Sequence, residues 1–185
     1  MVKRPDDPAQ ALRDDDLTAS VWAVLAGVRD PEIPPCAITD LGIVEEVRLP
    51  SGAVEVDLLP TFAGCPALDV IREDVEAAVG PVVYGREVRV RFVSTPPWTS
   101  DRITPAGREA MRSYGLTPPG PGRVVVPLTS IGRSGAEAKE CPFCGSRETV
   151  RESAFGPTLC RSTHYCRSCR NPFEAFKPKV AGRAP

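Results

Sequence analysis

Seven cysteines are the residues of this 185-residue chain best suited to chemistry, and their spacing sorts them. Cys141-Pro142-Phe143-Cys144 and Cys166-Arg167-Ser168-Cys169 are two C-x-x-C pairs separated by 21 residues. Each pair offers two thiolates at a tight turn, and together they supply the tetrahedral four-sulfur donor set of a structural zinc site. Iron in the same cage, or an Fe–S cluster, satisfies the spacing as well. A ribbon this small cannot bury enough core to fold unaided, so its metal must supply folding energy. Cys160 and His164 fall between the pairs. Cys160 could pack, replace a ligand or help hold a cluster. His164 reads as a packing residue, with ligation as the alternative. Cys36 carries no signal of its own.

The remaining cysteine, Cys65, lies in Thr61-Phe62-Ala63-Gly64-Cys65-Pro66, where an apolar strand gives way to an amphipathic helix. Pro66 suits a first helical turn, because its missing N–H would have had no partner there. At such a helix N-terminus the dipole and the unpaired N–H groups favour a thiolate. Gly64 lets the chain turn and leaves the sulfur uncovered. The plainer reading is a small buried cysteine at a strand–helix corner. Upstream, Asp30 and Glu32 form a carboxylate pair in the Pro-rich loop Arg29–Pro35, able to bind a metal ion or a partner's basic group, or simply solvated.

The elements that must position these groups follow from periodicity. Asp14–Asp16 read as the start of a helix whose buried stripe is Leu17, Val21, Val24, Leu25 and Val28, with Trp22 packing beside it. A first strand follows Asp40–Val44 and runs to about Leu49, and Pro50-Ser51-Gly52 turns it into a second, in which Val54, Val56 and Leu58 alternate with Glu55 and Asp57. Leu68, Ile71 and Val75 continue at helical spacing to Gly80, and Val88, Val90 and Phe92 mark a third strand. Trp98 reads as a core lid, and Thr104-Pro105 as the cap and first residue of a short helix. The expected fold is α+β: a small three-stranded mixed sheet with helices packed on one face, plus a C-terminal zinc ribbon. The expected divisions are a disordered tail over 1–13, the α+β domain over 14–116, a Pro/Gly-rich linker over 117–139, the ribbon over 140–178 and a second tail over 179–185. Within the linker, Val124–Leu128 could dock as an extra strand.

Composition narrows the function. Residues 1–120 hold 12 Lys and Arg against 19 Asp and Glu, a net −7, and residues 121–185 hold 11 against 5, a net +6. Such asymmetry suits two modules with different partners. Nucleic acid is an unfavoured partner, because the basic residues lack interleaved aromatics and the first module is acidic. With one histidine, placed in the ribbon, and no glycine-rich phosphate loop, the chain suits neither acid–base catalysis nor nucleotide chemistry. No apolar run is long enough to span a bilayer, and the start lacks a signal peptide's apolar core. A reducing cytoplasm is therefore expected, where cysteines serve as metal ligands or reactive thiols.

Asp30-Pro31-Glu32-Ile33-Pro34, Asp40-Leu41-Gly42-Ile43-Val44 and Thr61-x-x-Gly64-Cys65-Pro66 resemble the iron–sulfur assembly domain of SufT-like proteins. The ribbon resembles the extension of the PaaD branch of that family. So do Pro97–Ile103, Phe155-Gly156-Pro157-Thr158-x-Cys160 and Pro172–Lys177, with Arg102 and Pro157 departing from the pattern. The resemblance covers about residues 17 to 177. It implies a non-catalytic accessory of the phenylacetyl-CoA epoxidase system in phenylacetate catabolism, helping to mature the iron or Fe–S centres of its oxygenase or reductase. It also implies that Cys65, Asp30 and Glu32 are the functional positions, with a transient iron or Fe–S cluster at Cys65. The implied partners are the oxygenase and reductase subunits and the Fe–S assembly machinery, with a homodimer as a further option. An integral redox or coupling subunit, or a zinc-ribbon interaction module, is the alternative.

Overall fold

The computed structural model describes residues 8–62, 64–120 and 138–179, and side chains in the first helix from residue 14 onward. Helix α1, Pro8–Leu25, begins six residues before the acids at which the sequence places its start. A proline at the first position gives up an N–H that had no helical partner. Leu17, Val21 and Leu25 are buried along one stripe, whereas Trp22 is 37% exposed. One residue is a turn of about 100° around a helix, which carries Trp22 off the stripe beside Val21 and overturns its packing role.

The loop expected after α1 is instead a small antiparallel ladder, β1 (Arg29–Asp30) with β2 (Ile33–Ala37). Next come β3 (Val44–Arg48) and β4 (Ala53–Leu58), antiparallel through a turn closed by the Ala53 N–H donating to the Pro50 carbonyl (3.1 Å). Gly52 takes φ +77° there, which a side chain would resist. After helix α2 (Leu68–Val79), β5 (Glu87–Phe92) pairs parallel with β4 in unbroken register from Ala53↔Glu87 to Leu58↔Phe92. The mixed three-stranded sheet expected from the sequence is thus present, in the order β3-β4-β5, with α2 packed against β5 and α1.

The two faces of β4 differ in kind. Val54, Val56 and Leu58 are fully buried in the core with Ile71, Val75 and Val79 of α2. Across the other face, Asp57 accepts from Arg91 Nε at 3.0 Å and pairs with Arg48 Nη2 at 2.6 Å. Burial pushes the Asp57 carboxyl up, but the Arg91 and Arg48 guanidinium groups outweigh it and hold the group below its usual 3.8.

Trp98 is the expected lid: it is buried, and its Nε1 donates to the Leu41 carbonyl at 2.9 Å. Thr104 caps helix α3 (Pro105–Ser113) by accepting from the Gly107 N–H at 3.0 Å. Gly107 lies so close to the Asp40 carbonyl that a Cβ would approach its oxygen to 2.7 Å. Cys36 is buried beneath the same helix, with its sulfur 3.6 Å from the Gly107 carbonyl.

The C-terminal module is a four-stranded sheet of order β6-β9-β8-β7, made of β6 (Leu116–Thr117), β7 (Thr149–Ser153), β8 (Arg161–Cys166) and β9 (Pro172–Phe176). Thr117, expected to open a linker, lies in the edge strand of this sheet and runs parallel to β9. Phe176 is buried in the first module's core, edge-on to Trp98 (6.1 Å) and Phe62 (6.4 Å). Past it, Lys179 accepts from the Ser100 N–H at 2.9 Å, donates its own N–H to Ser100 Oγ at 2.8 Å and donates from Nζ to the Thr61 carbonyl at 2.8 Å, so the first residue of the expected tail is anchored. Val124–Leu128, read as a possible strand, lies outside the described residues.

Two outcomes follow for stability. Phe176→Ala empties the shared core and should cost about 3–5 kcal/mol in denaturant unfolding, with the zinc content of the folded chain unchanged. Asp57→Asn should cost about 1–3 kcal/mol at neutral pH. Because the folded-state value of Asp57 is depressed, its contribution is present above pH 3.8 and fades as the pH falls toward the lower folded value, so unfolding curves of the two proteins should converge in acid.

Candidate functional site

The segment from Thr61 to Pro66 joins β4 to α2. Regular helix begins at Leu68 behind Ala67, so Cys65 occupies a turn three residues before the first helical residue. That turn is closed by the Cys65 N–H donating to Phe62 O (3.2 Å) and the Leu68 N–H donating to Cys65 O (3.4 Å). Cys65 is half-buried against the main core. Burial raises its thiol pKa; the Ala67 N–H, which donates to the sulfur, lowers it; and Asp30, Cys160 and Glu32 raise it further. The net shift is upward. The helix-end stabilisation expected from the sequence is present, but it loses to desolvation and three acidic neighbours, so the metal-free sulfur is a thiol.

Asp30 and Glu32 come to Cys65 through the β1–β2 turn. Asp30 is buried, and its Oδ1 accepts from the Glu32 N–H (2.8 Å) and the Ile33 N–H (2.9 Å), which fixes the turn. Burial pushes the Asp30 carboxyl up, against the pull of those two N–H groups. Glu32 is partly exposed and lies 3.9 Å from Arg161 Nη2, which also donates to the Glu32 carbonyl. Asp30 and Glu32 thus act electrostatically on the Cys65 sulfur, while among the described residues the four paired cysteines are the group that brings three or more ligand atoms together. Cys160 acts on the Cys65 sulfur as well, and Arg161 borders Glu32.

The four paired cysteines form a separate site. The ligand atoms of Cys141, Cys144, Cys166 and Cys169 all lie within 4.8 Å of one another, with Cys141–Cys169 and Cys144–Cys166 sulfurs 3.6 Å apart. A tetrahedron with ~2.3 Å zinc–sulfur bonds has sulfur–sulfur edges of about 3.8 Å, so this donor set fits Zn2+. Backbone N–H groups of Phe143 and Cys144 point at Cys141, and those of Cys169 and Ser168 at Cys166. The Cys169 N–H leads in bringing Cys166 down to about 7, whereas Cys144, despite the Ser146 N–H, is pushed up to about 12 by burial and its neighbouring sulfurs. A cation at their centre relieves that mutual repulsion. Each knuckle leaves through a left-handed residue, Gly145 (φ +71°) and Arg170 (φ +60°).

Neither spare candidate belongs to this four-sulfur group. His164 is buried on β8, stacked on Phe173 at 5.3 Å and hydrogen-bonded through Nε2 to Ser162 Oγ at 3.0 Å. Burial pushes it down to about 4, leaving a neutral packing residue. Cys160 packs against the first module's core instead.

Comparison with known proteins agrees with both halves. Residues 18–92 match the family model described as iron-sulfur cluster assembly protein, and residues 128–177 match the PaaD zinc beta ribbon domain. An Escherichia coli protein, provisionally named as a component of 1,2-phenylacetyl-CoA epoxidase, is 36% identical over 157 residues, covering 85% of this chain and 90% of its own. A Porphyromonas gingivalis protein named Fe-S protein maturation auxiliary factor is 36% identical over 94 residues, covering 50% of this chain and 86% of its own. The Bacillus anthracis DUF59 crystal structure aligns at 27% identity with a TM-score of 0.50, over 55% of this chain and 96% of that one. With an assembly domain followed by its distinctive ribbon, and a relative matched over nearly its whole length, this chain belongs to the PaaD family.

Proposed function

We propose that the chain is a non-catalytic accessory of a phenylacetyl-CoA epoxidase system, delivering iron or an Fe–S centre to the oxygenase or its reductase. Cys65 is the ligand that accepts and surrenders the cargo, with Asp30 and Glu32 completing the site. The observation that supports this reading is that two carboxylates of the β1–β2 turn act on a half-buried cysteine before α2 and add to burial in raising its thiol pKa.

The chemistry suits a donor. A thiol of raised pKa loses its proton when a soft cation arrives, and the cation in turn relieves the repulsion from Asp30 and Glu32. One sulfur and two carboxylates, one of them committed to a turn, hold iron less firmly than the four thiolates of the ribbon. A site of that strength can release what it binds. The ribbon serves the partner-facing role, kept in shape by zinc.

Cys65→Ser should leave the fold and one zinc per chain intact while iron loading of the epoxidase subunits in cells falls roughly tenfold. Iron content of the purified oxygenase and reductase measures this, and normal loading by the variant would remove Cys65 from the mechanism. The purified chain should also be colourless and hold one zinc. Iron–thiolate absorbance from the ribbon would favour an electron-carrying subunit instead.

A further inference from the structure

The ribbon contributes more than a shape. The loop from Ala154 to Cys160, between β7 and β8, folds back on its own ends: the Gly156 N–H donates to Arg161 O (2.9 Å), and the Arg161 N–H donates to Thr158 O (3.1 Å). Its far side faces the assembly domain. The Leu159 Cδ1 methyl lies 3.8 Å from the position a Gly64 Cβ would take, one residue before Cys65. Arg161 reaches the Glu32 carbonyl and carboxylate on the β1–β2 turn. Cys160 lies between these two contacts in sequence, packed against the same core as Cys65.

Three further contacts set the character of the place. Cys160 Sγ is 3.0 Å from Thr158 Oγ1, and the Lys177 N–H donates to the Cys160 carbonyl at 2.8 Å, holding the residue at the end of the β8–β9 ladder. Arg161 is only 7% exposed, with Nη1 on Glu174 at 2.7 Å. Its Nε is buried and makes no hydrogen bond within the described residues. A buried guanidinium donor left over next to Cys160 is costly unless an acceptor arrives with a ligand. A thiolate or the sulfide of a cluster is such an acceptor.

We propose that Cys160 is the second sulfur ligand of the cargo site, so that thiophilic iron is held between Cys65 of the assembly domain and Cys160 of the ribbon, with Arg161 beside the anionic sulfur. This rests on the delivery reading above and deepens it, because it makes the ribbon part of the site. On binding, both thiols release their protons to solvent and both thiolates coordinate, with no change of oxidation state. A lone ferrous ion and a small Fe–S cluster share this chemistry.

The test uses the full-length chain with zinc in its ribbon, kept anaerobic. Co2+ stands in for the lone ion, and ferric iron with sulfide, which together supply a [2Fe–2S] cluster without an added oxidant, builds the cluster; the arm that binds identifies the cargo. The wild type should take one cargo beyond its zinc, with sulfur-to-metal charge-transfer absorbance. Cys65→Ser and Cys160→Ser should each weaken binding about tenfold or more and lose about half of that absorbance, with zinc content and circular dichroism unchanged. X-ray absorption at the cobalt or iron edge of the wild type, which needs no variant to fold, should count two protein sulfurs on a lone ion. Undiminished binding and absorbance in Cys160→Ser, alongside loss in Cys65→Ser, would overturn the second ligand and leave the Cys65 site standing. No cargo binding by the wild type in either arm would overturn both.

Discussion

A sheet of short strands tied by four sulfurs has one apolar face it cannot cover by itself. Among the described residues, the ribbon's private core is Cys141, Cys166 and Phe173, with Cys169 packed against it. The rest of its apolar surface goes elsewhere: Phe176 enters the assembly domain's core beside Trp98 and Phe62, and Cys160 packs against that core's edge. The dependence runs both ways, since β6 leaves the assembly domain to become the edge strand of the ribbon. Zinc fixes the two knuckles, but burial of Phe176 decides where the ribbon is. The proposed cargo site depends on that docking.

Docking explains why the carboxylate turn and the Cys65 turn have charged and sulfur-bearing company. Arg161 bridges Glu32 of one module and Glu174 of the other, and Lys179 reaches the carbonyl of Thr61 at the head of the Cys65 segment. These contacts hold the ribbon's loop over Gly64 without filling the space a Cβ there would need. The resulting environment raises the Cys65 thiol, burial first and the nearby acids after it. The ribbon cysteines are different in kind. Their N–H-rich knuckles and close sulfurs suit permanent retention of a metal, in contrast to the weak site proposed at Cys65.

Much of this was legible in the amino acids. The alternation of Val54, Val56 and Leu58 with Glu55 and Asp57 marked the central strand and its two unlike faces, and Trp98 proved to be the lid it resembled. The C-x-x-C pairs named the four metal ligands, though not the metal, since iron satisfies the same spacing. What escaped was whatever depended on contacts far apart in sequence. The Cys65 thiolate was inferred from helix position alone, while its ionisation is governed by burial and by Asp30, Cys160 and Glu32. Arg161 carried no signal, since an arginine opening a strand reads as solvated until Glu32, 129 residues away, is found against it. Trp22 and the early start of α1 show the ordinary limit of reading a helix without knowing what it packs on.

The docked ribbon can be tested directly by nuclear magnetic resonance on the zinc-loaded full chain. A cross-relaxation peak between the Leu159 methyls and the Gly64 α-protons, with one shared tumbling time for both modules, is the result that docking requires. A missing peak, with the ribbon tumbling independently of the assembly domain, would contradict it.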